Sequence, residues 1–160
     1  MGNTFAIGIT LFFAVAGFNA KAQVTPAADQ ICGKWMSAEK NLIVQMYRDN
    51  HDFIAMMVWC RTEGDSRPMQ EWTDLHNPDK ALRRRKIVGM NVLDGLVYRP
   101  ESNSWEGGKI YDALHGRTWD ASVCLAKNGA LKVTGYWHFK FIGRTITFNK
   151  VSDFEAMSIH

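Results

Sequence analysis

The 160-residue sequence lacks the motifs that mark most enzyme classes. It contains no Gly-x-Ser-x-Gly, no His-Glu-x-x-His, no phosphate-binding loop and no Ser/His/Asp arrangement. Cysteine is scarce, and Cys32, Cys60 and Cys124 form no Cys-x-x-Cys, which excludes a thioredoxin-like motif and a zinc ribbon. We therefore expect no catalytic residue, no metal and no cofactor, and we predict that the protein is not an enzyme.

The sequence also has little net charge. Its 19 Lys and Arg residues against 16 Asp and Glu residues give a formal charge of +3. A nucleic-acid-binding domain usually has a larger basic excess on one face, so we expect no nucleic-acid partner. The one dense cationic cluster is Arg-Arg-Arg-Lys at 83–86. No internal repeat, low-complexity segment or linker indicates a second domain.

Residues 4–19 carry no charge and are mostly apolar, although no Lys or Arg precedes them. Ala20-Lys21-Ala22 follows, which is the small-x-small pattern that signal peptidase recognises. We predict a signal peptide over 1–22, cleavage near Ala22-Gln23 and a single domain over 23–160. A membrane anchor is the alternative, but the run is short for a span of about 20 residues. Export to the periplasm or the medium implies an oxidising compartment, where the three cysteines form one bridge or none.

Alternating apolar and polar residues dominate the rest of the chain. The segments 118–125 and 130–140 each alternate, and Asn128-Gly129 between them favours a hairpin turn. The pattern places Trp119 in the first segment, and Trp137 and Phe139 in the second, on the core face. We therefore expect all three aromatic rings to be packed inside.

Further strands are predicted at roughly 33–37, 41–48, 52–61, 86–93, 105–111 and 143–151. About eight short antiparallel strands with almost no helix indicate an all-β sandwich or barrel. The segment 53–60 (FIAMMVWC) is apolar on both faces. One face should line the core, and a loop, a helix or a partner chain should cover the other.

The connection over 61–85 is too long for a hairpin loop and predicts structure of its own. Asn77 as the cap and Pro78 at the first helical position indicate one short helix, with Arg83–Arg85 at its C-terminal end. This helix would lead into a strand at Ile87. A dedicated anion site is the alternative, but a short helix spreads adjacent cations around its axis.

Three acidic or imidazole side chains of this connection, Asp74, His76 and Asp79, have the composition of a metal or acid–base group. Their spacing matches no compact ligand motif. We interpret them as a capping and turn network.

Five fragments, read in order, resemble the exported bacterial family of unknown function numbered 2147. They are GKW at 33–35, NPDKALRRRKIVGM at 77–90, WEGGKIYDALHGRTW at 105–119, LKVTGY at 131–136 and GRTITFNKV at 143–151. The resemblance implies an antiparallel lipocalin-like (calycin-type) barrel of about eight strands, with one short helix in the 61–85 connection. The activity of that family is not established, so the resemblance supports the fold more than the function.

The resemblance also implies how the barrel closes. In such barrels the Gly-x-Trp of the first strand, here Gly33 and Trp35, meets a cation at the end of the last strand. The family pattern there is Trp-x-Arg, whereas this chain has Phe148 and Lys150. Lysine stacks on an indole less well than arginine does, so the closing contact should be weaker. The family also regularly has arginine at the position of Arg85, which implies a structural or site-forming role.

Two functional hypotheses follow. The first is a non-enzymatic barrel that binds a small apolar or amphipathic molecule, including a lipid, with 61–85 as a lid or flank. The alternative is an envelope-associated module that contacts lipid, polysaccharide or protein through its surface. The sequence leaves the oligomeric state open. The candidate ligand-binding residues are Trp59, Trp72, Asp74, Asn77, Arg85 and Tyr111.

Overall fold

The computed structural model describes residues 26–140 and 143–152, so the predicted signal peptide lies outside the described residues. Eight antiparallel strands form one closed barrel in sequence order. They are β1 (Gly33–Ser37), β2 (Leu42–Asp49), β3 (Asp52–Cys60), β4 (Asn91–Arg99), β5 (Ser104–Asp112), β6 (Arg117–Leu125), β7 (Leu131–Tyr136) and β8 (Arg144–Val151). Pairing of β1 with β8 leaves the sheet without a free edge. The predicted all-β, eight-stranded barrel is confirmed.

The helical content in the described chain consists of three 3-10 helices: η1 (Ala27–Ile31), η2 (Met69–Glu71) and η3 (Lys80–Leu82). The predicted short helix of the connection is present as η3, but its predicted cap and bounds are wrong, because Pro78 precedes η3 and Arg83–Arg85 follow it. Asp79, not Asn77, caps it, because the Asp79 side chain accepts from the backbone N–H of Ala81 at 2.9 Å. The side-chain oxygen of Asn77 instead accepts from the N–H of Asp79 at 2.8 Å. This bond makes a turn that ends before the helix begins.

The barrel has two different ends. The base end carries η1 and the connections 50–51, 100–103 and 126–130. The rim end carries the connections 38–41, 61–90 and 113–116 and the residues 137–140 that follow β7. Helix η1 closes the base, since the indole N–H groups of two buried tryptophans donate to its backbone. Trp105 bonds the carbonyl of Ala28 at 3.0 Å, and Trp35 bonds that of Ile31 at 2.7 Å.

Buried side chains run through the barrel from the base to the rim. One cluster joins Ile31 of η1 with the interior residues of the strands and with Trp72, Ile87 and Met90 of the long connection. The long connection therefore packs onto the barrel interior. On the outer face of β3, Trp59 forms a second cluster with Ile43, which Met69 of the connection contacts. The long connection thus covers the rim end of the second apolar face of 53–60, where the sequence predicts a loop, a helix or a partner chain.

The chain enters β4 later than the sequence indicated. Lys86 pairs with Thr73 in an isolated bridge, and the N–H of Ile87 donates to the carbonyl of Trp72 at 3.1 Å. These bonds hold 86–87 within the connection, so β4 begins at Asn91. The predicted strand start at Ile87 is therefore wrong.

Strand β7 ends at Tyr136, four residues before its predicted end. His138 has a positive φ of 63°, and the N–H of Phe139 donates to the carbonyl of Trp137 at 2.7 Å. This turn breaks the alternation and rotates the aromatic rings outward. Trp137 is 59% exposed and Phe139 58%, so their predicted place in the core is wrong. Trp119 is half-buried.

All three cysteines are free thiols. Burial raises the pKa of the Cys60 thiol, and burial with the nearby Asp29 carboxylate raises that of Cys32. Cys124 is exposed. None of the helices among residues 26–140 and 143–152 has the length and apolar character needed to cross a membrane.

Candidate functional site

The long connection contains a small two-stranded bracket formed by 72–74 and 85–87. Besides the Ile87–Trp72 bond, the N–H of Asp74 donates to the carbonyl of Arg85 at 2.9 Å. Residues 75–84 form the tip of this bracket. The side chain of Arg83 returns across the tip and donates through Nε to the carbonyl of Asn77 at 2.8 Å. The tip is therefore held by its own side chains.

Asp74 is at the centre of the bracket and is completely buried. Its Oδ2 accepts from Asn77 Nδ2 at 2.6 Å and from Arg85 Nη2 at 2.8 Å. Its Oδ1 accepts from the hydroxyl of Tyr111 at 2.7 Å. Tyr111 belongs to β5, so this last bond ties the connection to the barrel wall. Four of the six candidate ligand-binding residues thus form one hydrogen-bonded network.

The network changes the pKa values of its members. Burial alone would raise the pKa of Asp74, but the hydrogen bonds from Tyr111, Asn77 and Arg85 outweigh burial and lower it. Burial, together with the hydrogen bond to the Asp74 carboxylate, raises the pKa of Tyr111 to about 12. At neutral pH the carboxylate is therefore charged and the phenol neutral. This is the protonation pattern that the hydrogen bonds require.

The network positions the connection. The Asp74 carboxylate is buried and already accepts three hydrogen bonds, so it has no surface on which to receive a ligand. A neighbouring loop is packed against the same bracket at Gly116, where an added Cβ would lie 1.9 Å from the carbonyl oxygen of His76. Gly116 has a positive φ of 64°, so both the contact and the backbone favour glycine. Direct ligand contact by Asn77, Arg85 and Tyr111 stays a prediction.

Trp72 adjoins this network in sequence and is buried in the main core cluster. Its indole Nε1 has no hydrogen-bond partner among the described residues. An unpaired buried N–H costs free energy. A ligand-binding role for Trp72 stays a prediction.

Trp59 does not join the other candidates. It packs with Ile43 on the outer wall, and the guanidinium of Arg61 lies 5.9 Å from its ring centroid. The structure thus separates this residue from the network around Asp74. A ligand-binding role for Trp59 stays a prediction.

Three of the four residues expected at the barrel closure, Gly33, Trp35 and Lys150, meet. Trp35 and Lys150 are cross-strand partners, and Lys150 Nζ lies 5.4 Å from the Trp35 ring centroid. Gly33 has a φ of +127°, and an added Cβ there would lie 3.1 Å from Lys150 Cε. Phe148 is buried and pairs with Ser37. Lysine therefore occupies the place of the family's arginine, over the same indole.

The rim contains an aromatic cleft that the sequence patterns did not identify. Its volume is about 570 Å³, and Arg117, Thr118, Trp119 and Trp137 line it. The rings of Trp119 and Trp137 meet edge to face, with centroids 5.9 Å apart. Arg117 is exposed and adds a positive charge to the cleft. Its cross-strand partner, Asp112, is hydrogen-bonded to His115 instead of to Arg117. The cleft suits a molecule with an apolar body and an acidic group.

One sequence signal could have identified this cleft. The predicted strand over 130–140 is longer than any other predicted strand, although a short barrel needs strands of matched length. The observed pairing of Ala121 with Gly135 and of Asp120 with Tyr136 sets Trp119 opposite the first residue beyond β7. Both tryptophans therefore lie where the sheet ends. Within the described part of the chain, no group of three His, Cys, Asp or Glu side chains is arranged to hold a metal ion.

Comparison with known proteins supports the fold. The sequence profile of a family described as "Uncharacterized protein conserved in bacteria (DUF2147)" matches residues 33–150. A solved structure of protein HP1028 from Helicobacter pylori, described as belonging to the lipocalin family, is similar with a TM-score of 0.65. The identity is 26%, over 80% of this chain and 87% of that one. A search among curated proteins found no match. The barrel is thus lipocalin-like.

Proposed function

The chain belongs to the bacterial family of uncharacterised proteins DUF2147, and we propose that its lipocalin-like barrel binds a small amphipathic molecule without catalysis. The observation that carries the proposal is the aromatic cleft at the rim, where Trp119 and Trp137 meet at 5.9 Å. Aromatic faces supply apolar contact area, and the adjacent Arg117 attracts an acidic group.

The packing of the barrel favours the rim as the binding position. The core cluster runs through the barrel from η1 to the long connection, whereas the cleft is open to solvent. The network around Asp74 holds the connection in place next to the 113–116 loop, which leads into the cleft at Arg117. A rigid rim binds a ligand with less loss of conformational entropy than a mobile one. The 61–90 connection is in this proposal a fixed flank of the site.

We also infer export. The apolar segment 4–19 followed by Ala20-Lys21-Ala22 supports removal of residues 1–22 and action in the periplasm or outside the cell. Intact mass of the protein recovered from the periplasm and the medium tests this inference. A mature chain that begins at Gln23 is the expected result, and a full-length chain retained in the membrane would contradict it.

Ligand binding is tested by calorimetric titration with dodecanoate, an acidic molecule with an apolar chain. We expect saturable binding that Trp137→Ala weakens about tenfold and that Arg117→Ala weakens about fivefold. The controls are Val97→Ala, which shortens an exposed apolar side chain on the barrel wall, and Arg99→Ala, which removes an exposed arginine from the base end of β4. Neither control should change the affinity.

Two outcomes would contradict the proposal. One is the absence of saturable binding by folded protein, and the other is equal loss in the cleft variants and the controls. Native mass spectrometry of protein purified from its own host supplies an independent readout. An acidic, amphipathic molecule that co-purifies with the native chain but not with the Trp137→Ala variant supports the cleft.

A further inference from the structure

The large apolar side chains that are exposed are gathered at one end of the barrel. Among the described residues, Leu75, Leu82, Leu114, Trp137 and Phe139 are exposed at the rim, whereas Val97 is the one such residue elsewhere. Single exposed apolar side chains are normal, but a collection on neighbouring loops indicates an interaction surface.

Three of these residues, none of which lines the cleft, define a rim patch: Leu75, Leu82 and Leu114. Their side chains are 62%, 40% and 53% exposed. Leu75 and Leu82 belong to the tip of the bracket, which the Thr73–Lys86 bridge closes. Leu114 belongs to the loop that packs on the same tip, since Gly116 meets the His76 carbonyl. The three leucines therefore lie on two connections in contact.

The bracket tip is rich in cations. Residues 75–86 contain five Lys and Arg against one acid, Asp79. Two of the five make hydrogen bonds within the connection: Arg83 donates to the Asn77 carbonyl, and Arg85 donates to the Asp74 carboxylate. Lys80, Arg84 and Lys86 are exposed, and no ion pair within the described chain includes them.

The base end shows a different composition. Its connections 50–51, 100–103 and 126–130 hold one acid, Glu101, and one cation, Lys127. None of the exposed large apolar residues described above belongs to these connections. A net positive charge and exposed leucines thus coincide at the bracket tip, whereas the described base connections carry one acid against one cation and no exposed leucine.

We propose that the rim patch docks onto the surface of an anionic lipid bilayer. Leucines on loop tips insert at the boundary between headgroups and acyl chains, while lysine and arginine side chains reach the acidic headgroups. A bilayer accepts such a pattern without the matched shape that a protein partner requires. The buried Asp74 network keeps the bracket tip folded before docking, so little conformational entropy is lost.

The size of the patch determines the kind of attachment. Three leucines and three cations are fewer than a stable membrane anchor contains, so docking is reversible and depends on salt. This inference goes beyond ligand binding in the cleft. The two proposals are independent, because they use different side chains.

The test is flotation of protein, purified after expression of the full-length chain, with phosphatidylcholine vesicles that contain or lack phosphatidylglycerol. Intact mass first confirms that the apolar leader is absent from the sample. We expect binding to the anionic vesicles at low salt, and much weaker binding at high salt or without phosphatidylglycerol. Leu75→Ala with Leu82→Ala should weaken it about tenfold. Arg84→Ala with Lys86→Ala should weaken it about twentyfold.

Matched controls keep the result specific. Val97→Ala removes an exposed apolar side chain from the wall, and Lys127→Ala removes a cation from the base end, so neither should change vesicle binding. Near-ultraviolet circular dichroism shows that each variant is folded. The Leu75/Leu82 double variant should still bind dodecanoate, which separates failure of docking from failure of the cleft.

Several outcomes would overturn the proposal. They are equal binding to neutral and anionic vesicles, full binding by the Arg84/Lys86 double variant, and no binding by folded wild-type protein. Self-association that the leucine variants abolish, measured by sedimentation velocity, would show that the patch is a protein interface instead.

Discussion

The hydroxyl of Tyr111 on β5 donates to the buried carboxylate of Asp74 at 2.7 Å, across 37 positions of sequence. This bond joins the long rim connection to the barrel wall. Asp74 is fully buried, so loss of a donor cannot be replaced by water without opening the bracket. The folded conformation of the bracket therefore depends on the hydrogen bond from Tyr111 to Asp74.

Tyr111→Phe should lower the free energy of unfolding by about 1–3 kcal/mol, because one oxygen of a buried carboxylate loses its donor. Urea denaturation measures the loss, and amide exchange should show less protection over 72–87 than in wild-type protein. Tyr47→Phe is the matched control, since its hydroxyl makes an exposed bond to Asn91 at 3.0 Å. An equal effect of both substitutions would argue against the bracing role.

Alkaline titration should reveal Tyr111 directly. Its pKa is raised from 10.0 to about 12 in the folded protein, so the unfolded chain loses this proton first as the pH rises. The stabilisation from Tyr111 is then complete below pH 10.0 and is lost as the pH rises through about 12. The phenolate absorbance of wild-type protein minus that of Tyr111→Phe should show one step near the upper value. A step near the ordinary value would contradict the buried bond.

Asp74 has the opposite dependence on pH. Its pKa lies below the ordinary 3.8 in the folded protein, so its stabilisation is present above that value and is lost as the pH falls through the lowered pKa. Asp74→Asn should lower the free energy of unfolding by about 2–3 kcal/mol at neutral pH. The difference from wild-type should shrink in acid. Asp94→Asn, which removes an exposed carboxylate from β4, is the control and should have little effect.

The same substitution at two tryptophans should have very different effects on stability. Trp35 is 1% exposed and bonds η1, so Trp35→Ala should lower the free energy of unfolding by about 3–5 kcal/mol. Trp137 is 59% exposed, so Trp137→Ala should change stability little while it weakens ligand binding. Thermal unfolding of both variants measures the contrast. A nearly unchanged melting temperature for Trp35→Ala would refute its role in barrel closure.

Thiol labelling should distinguish the three cysteines. Cys124 is exposed, Cys32 is half-buried and Cys60 is buried. Burial raises the pKa of the Cys32 and Cys60 thiols. An alkylating reagent should therefore modify one thiol quickly in native protein and all three in urea. Mass spectrometry of peptides should assign the fast site to Cys124. Rapid labelling of Cys60 would mean that the β3 wall opens readily.

The candidate site was only partly predictable from sequence. The Asn-Pro-Asp turn drew attention to Asn77, and the family pattern to Arg85, but neither indicated that both side chains meet on Asp74. The sequence pattern did not indicate the rim cleft, because the alternation continues through Trp137, whereas β7 ends at Tyr136 and His138 has a positive φ. A pattern of period two reports a face of a strand only as far as the strand extends.

Alternation in the sequence was enough to predict about eight antiparallel strands and a hairpin around Asn128-Gly129, and the family resemblance implied that Gly33 and Trp35 meet the end of β8. Alternation and turn residues are local properties, and a local period of two is enough to form an antiparallel sheet with one buried face. The side chains around Asp74, the end of β7 and the apolar residues left in solvent follow instead from tertiary contacts. Those features depend on contacts between segments far apart in the chain, and the register of the closed barrel brings these segments together.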